Sequence, residues 1–116
     1  MLKLPRQTEA SFTRMVLDLA KLHGWRRAHF RAAMTKKGWR TPVQGDGSGF
    51  PDLILVKGCW LIAAELKVGN NEPRPEQTAW LEAFALTGAF TYVWYPDDWS
   101  DIEAILLDGP TGGNVP

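Results

Sequence analysis

One cysteine, Cys59, is the whole of this chain's thiol chemistry, so no disulfide can close within it. The opening residues Met1-Leu2-Lys3-Leu4-Pro5-Arg6 lack the long apolar stretch of a secretion signal, so a reducing cytoplasmic compartment is the expectation. No apolar run approaches the roughly eighteen residues of a membrane span, and no membrane partner is expected. Net charge is missing as well. Thirteen basic residues balance thirteen acidic ones, which by itself argues neither for nor against nucleic acid. No internal repeat and no second domain can be found.

What is present suffices for one core: 116 residues, 45% of them hydrophobic, with six tryptophans. Charge is unevenly spread. Residues 24–44 hold six bases (Arg26, Arg27, Arg31, Lys36, Lys37, Arg40), His29 and no acid, while residues 96–108 hold five acids and no base. A basic segment interleaved with Trp25, Phe30 and Trp39 fits a phosphate-binding surface. A solvated face backed by core aromatics fits the charges equally well.

Periodicity gives the elements. Residues 8–23 read as a helix capped by Thr8 and ended by Gly24, with Phe12, Met15, Val16, Leu19 and His23 at helical spacing. Glu9 shares that stripe. It either answers the helix dipole or points inward. Residues 25–31 suit an edge strand. Pro42 and the glycines of 45–49 suggest a mobile loop, whose glycines serve close backbone approach to a partner or simple flexibility. Residues 76–87 read as a second helix closed by Gly88, with Gln77 on the stripe of Trp80, Ala83, Phe84 and Thr87. Residues 90–95 read as a strand and 99–107 as a short helix with an acidic outer face. The domain is expected to end near residue 108, with 109–116 a disordered tail.

Between these lies the most informative segment, Pro51-Asp52-Leu53-Ile54-Leu55-Val56-Lys57-Gly58-Cys59-Trp60-Leu61-Ile62-Ala63-Ala64-Glu65-Leu66-Lys67. Two branched apolar runs flank Gly58-Cys59, and a glycine first in a two-residue loop suits a type II′ hairpin. That turn pairs Lys57 with Trp60, Ile54 with Ala63 and Asp52 with Glu65. Directly opposed Cβ atoms lie about 4.5–5.5 Å apart, and Lys67 projects from the same face two residues beyond Glu65. Both faces of the hairpin are mostly apolar, so its strands should be central and covered on both sides. Two acids and a lysine converging at a buried strand end describe a divalent-metal site with a cationic helper. The competing account is a structural Asp52–Lys67 ion pair with Glu65 at a solvated strand end.

Residues 49–82, from Gly-Phe-Pro-Asp-Leu-Ile-Leu-Val through Ala-Glu-Leu-Lys-Val to Glu-Gln-Thr-Ala-Trp-Leu-Glu, resemble the VRR-NUC domain, a branch of the PD-(D/E)XK nuclease superfamily. The element order from Glu9 to about Leu106 is similar to that superfamily's core. The resemblance implies an α/β, restriction-endonuclease-like fold: a central mixed sheet containing the hairpin, with helices on both faces. It implies a Mg²⁺- or Mn²⁺-dependent endonuclease acting on DNA. Asp52, Glu65 and the Leu66 carbonyl would be metal ligands, and Lys67 the catalytic lysine. Glu9 would be a helix-borne acid at a second metal or a bound water, and Gln77 a positioning glutamine. Small standalone members resemble phage proteins that act as homodimers on branched DNA such as Holliday junctions, in the host cytoplasm. A general or nicking nuclease and a non-cutting DNA-binding module remain the alternatives.

Overall fold

The computed structural model describes residues 7–30, 33–35, 38–40 and 43–110, the segments 33–35 and 38–40 by their backbone alone. Helix α1 spans Glu9–Leu22. Thr8 starts it through a reciprocal cap: Ser11 N–H donates to Thr8 Oγ1 at 3.0 Å, and Thr8 N–H donates to Ser11 Oγ at 3.1 Å. Gly24, with φ +83, follows its end. Its buried face is Phe12, Thr13, Val16 and Ala20. The expected stripe was therefore turned a little too far around the helix, and Met15 is 41% exposed. Leu19 of that stripe is partly buried against the core, while Met15 is not among the residues packed there.

Strands β4 (Leu53–Lys57) and β5 (Trp60–Leu66) form the hairpin in the expected register, Lys57 opposite Trp60 and Ile54 opposite Ala63. Gly58 has φ +58 while Cys59 keeps a negative φ, which fits a type II′ turn and not type I′. Strand β1 (Arg26–His29) lies antiparallel on β4 as an edge strand. Strand β6 (Phe90–Trp94) runs parallel to β5 on the other side. The result is a four-stranded mixed sheet in the order β1-β4-β5-β6, with β4 and β5 central.

Helix α3 (Trp99–Asp108) packs with α1 over one face of this sheet. There Phe12, Val16, Ala20, Trp25, Ile102 and Leu106 meet Leu53, Leu55, Ile62, Ala64, Leu66 and Trp94. Each such buried Leu or Ile contributes about 1.5–3 kcal/mol. Trp25 donates its indole N–H to the Leu106 carbonyl at 2.9 Å and stacks on Trp60. Helix α2 (Pro75–Leu86) packs against β5 and β6 and reaches the opposite face through Gln77. The chain is thus an α/β fold with three α-helices among the described residues. None of them is long and apolar enough to cross a membrane.

Residues 32–49 show no readable pattern in the sequence, yet they contain a short antiparallel ribbon, β2 (Ala33–Thr35) with β3 (Gly38–Arg40). Three-residue strands are too short to show alternation. Residues 43–49 have no regular structure but are anchored: Trp80 donates its indole N–H to the Asp46 carbonyl at 2.8 Å. At Gly49 a Cβ would sit 2.6 Å from the Glu76 backbone, so this glycine serves close approach to α2. The domain also extends past residue 108. Gly109 and Pro110 are buried, and Trp60 occupies the space a Cβ on Gly109 would need. Residues 111–116 of the expected tail lie outside the described residues.

Candidate functional site

The hairpin rungs run out at Leu53 and Ala64, and the next step along each strand brings Asp52 beside Glu65. Asp52 is pinned twice. Its Oδ2 accepts the Leu66 N–H at 2.9 Å, and its carbonyl accepts the Phe30 N–H at 2.8 Å. The Leu66 N–H thus faces Asp52. A strand residue's C=O leaves on the same edge as its N–H, so the Leu66 carbonyl faces the same mouth.

Glu65 is 1% exposed. Its Oε1 accepts from Gln77 Nε2 at 3.2 Å. Gln77 is itself buried, and its Oε1 accepts the Arg74 N–H at 2.8 Å, so one side chain both caps α2 and holds Glu65. The second oxygen, Oε2, is buried and meets no donor. Burial first, and then contact and repulsion from the Asp52 carboxylate, push Glu65 up to about 9, with Glu9 adding to the rise and Lys67 opposing it. The orphaned oxygen and the Asp52 contact have one explanation. Two carboxylates cannot hydrogen-bond each other, but a protonated Glu65 can donate to Asp52. A proton, or a cation in its place, is what this pair requires.

Lys67 is half-buried on the same face and enters no ion pair among the described residues. The competing Asp52–Lys67 pair is therefore not formed, and Glu65 is not at a solvated strand end. Glu9 is exposed and close enough to act on Glu65 through its charge. No group of three or more His, Cys, Asp or Glu side chains among the described residues is placed to hold one ion. The five expected site residues still belong to one place. Glu9, Asp52, Lys67 and Gln77 line a cleft of about 930 Å³, and Glu65 lies directly behind Asp52 and Gln77.

The basic segment divides. Arg26 and Arg27 are exposed on β1, but only Arg27 lines the cleft. Arg31, Lys36 and Lys37 lie outside the described residues, and Arg40 is described by its backbone in β3. Of the interleaved aromatics, Trp25 is core, while Phe30 lines the cleft and packs edge-on against Phe50, 4.9 Å between ring centres, which in turn packs on Trp80. Trp94 is buried, and Tyr95 donates its hydroxyl to the Asn71 carbonyl. Sequence reasoning missed Arg14 and Arg74, which line the cleft together with His29 of the basic segment. Arg14 becomes visible once Thr13 is counted in the buried face of α1.

Comparison of the chain with protein-family models, with curated proteins and with solved structures gave no match.

Proposed function

We propose that the chain is a Mg²⁺- or Mn²⁺-dependent endonuclease that hydrolyses phosphodiester bonds of DNA, built on a PD-(D/E)XK-like core of the VRR-NUC type. The observation that carries this reading is Glu65: a buried carboxylate with one oxygen lacking a donor, set beside a second carboxylate, with an ammonium group on the same face. Burying two acids side by side costs stability unless a cation joins them. The mixed sheet with helices on both faces is the scaffold that the resemblance calls for.

The donor set fits a hard divalent ion. Asp52, Glu65 and the Leu66 carbonyl are all oxygen ligands, and Mg²⁺ is ordinarily held by one or two carboxylates, the rest of its shell being water. A third protein acid is not needed. When bound, the ion supplies Lewis-acid chemistry, neutralising phosphate charge and acidifying water. The chain's own groups do the rest. Gln77 fixes Glu65, and the Leu66 N–H fixes Asp52. The Lys67 ammonium, in no ion pair among the described residues, orients the attacking water or neutralises a phosphate oxygen. Preference for branched DNA and action as a two-fold dimer, which would give one site per strand, belong to the same reading.

The test is cleavage of a four-way junction, a flap, a splayed arm and a linear duplex side by side, in Mg²⁺, Mn²⁺ or chelator. Metal-dependent cutting of a branched substrate over linear duplex is the expected result. Equal cutting of all four means a general nuclease. Binding without cutting in either metal means a non-cutting DNA-binding module and ends the enzymatic reading.

A further inference from the structure

The cleft has a second wall, made by α1 and β1. In β1, Arg27 stands opposite Leu55 and Arg26 opposite Val56. Opposed residues share a face of the sheet, and Leu55 belongs to the core beneath α1. Arg27 is therefore on the α1 side. Arg26 is on the face of Asp52 and Glu65 but at the far end of the strand, opposite Val56 where His29 is opposite Leu53, and it does not line the cleft. A contact agrees with this parity: Arg27 Nη1 donates to the Leu17 carbonyl of α1 at 3.3 Å. That bond lays the guanidinium against the helix and uses one of its five donors. Arg14, three residues before Leu17 on α1, is exposed on the same wall. Asp18 lies one turn beyond Arg14 but forms no ion pair with it or with Arg27 among the described residues. Across the cleft Arg74 is different, its Nε lying 3.0 Å from Glu76 Oε1.

We infer that Arg14 and Arg27 form a phosphate-binding subsite that holds the DNA backbone beside the Asp52–Lys67 mouth, and that Arg26 takes no part in it. This rests on the nuclease reading above. The two guanidiniums come from different elements, that of Arg27 is braced against α1, and both residues line the cleft that holds the lysine. Guanidinium groups suit phosphate because their fork of donors matches its oxygens.

The test is the salt dependence of binding to a labelled duplex by the full chain, with Ca²⁺ in place of Mg²⁺ and the duplex checked to be intact. Arg14→Gln and Arg27→Gln are each expected to weaken binding several-fold and to lower the slope of log affinity against log salt by about one. Arg26→Gln is expected to leave both unchanged. Arg27→Lys, which keeps the charge, should recover the slope. The inference is overturned if Arg26→Gln loses as much as the other two, if their slopes stay parental, or if Arg27→Lys fails to recover. A parental chain that binds no DNA at any salt overturns the DNA-nuclease reading as well, and so is a separate result.

Discussion

At the scale of single residues, Asp52 and Lys67 have separable jobs. Lys67 makes no ion pair among the described residues, so removing it should cost the fold little. Lys67→Ala is expected to slow cleavage by roughly 10²–10³-fold, the range for loss of one preorganised charge at a transition state. DNA affinity should change by less than about threefold. Parental cleavage rates in single-turnover assays would remove Lys67 from the chemistry. Asp52→Asn keeps an oxygen to accept the Leu66 N–H but removes the charge facing Glu65. Metal-dependent cleavage should disappear, while urea denaturation at pH 8 without metal should show a fold more stable by on the order of 1 kcal/mol. A less stable metal-free fold would make Asp52 structural. These residues were legible because a strand's side-chain period is two and the Gly58 turn fixes register, so parity alone put Asp52, Glu65 and Lys67 together. Arg14 was not legible. Apolar residues at 12, 15, 16, 17, 19 and 22 leave a helix's phase open, and only contact with the sheet selects the face containing Thr13 and Ala20.

At the scale of elements, the glycine-rich segment and the first turn of α2 act together. Phe50 lies between Phe30 and Trp80, and Gly49 passes against the Glu76 backbone. That contact bears on the site, because Gln77 follows Glu76 and holds Glu65. Gly49→Ala meets two obstacles: a left-handed φ of +82 and a Cβ 2.6 Å from backbone. Gly45→Ala meets only the first, at φ +75 with open space around it. The strained backbone alone costs about 1 kcal/mol. Gly49→Ala should therefore cost roughly 2–3 kcal/mol and lower the melting midpoint clearly more than Gly45→Ala does. Equal midpoints would show that the segment yields freely at Glu76. The sequence offered close approach to a partner as one use of these glycines, whereas Gly49 approaches the chain's own α2, which nothing local marks as the neighbour. The β2–β3 ribbon was illegible for a different reason, its strands being shorter than the pattern used to find them.

For the whole molecule, the shared proton makes stability and metal binding depend on pH with a definite sign. Glu65 titrates near 4.5 in an unfolded chain and near 9 in the metal-free fold. Between those values the native state holds a proton that the unfolded chain has released. Stability therefore falls as pH rises through this window, by at most about 1.4 kcal/mol per unit, and the favourable contribution is fully present only below the lower value. A divalent ion bound by Asp52 and Glu65 replaces that proton, so its binding releases protons and stabilises the native state more as pH rises. Urea titrations of the parental chain from pH 6 to 9 should thus show a decline without metal, and a flatter profile at saturating Mg²⁺ or Mn²⁺. Glu65→Gln supplies the reference, because it removes this one titration and leaves the other charges in place. Its metal-free profile should lack the decline, and metal should add little to it. If the parental and Glu65→Gln profiles run parallel without metal, and Mg²⁺ shifts both alike at pH 8, the two carboxylates do not share a cation.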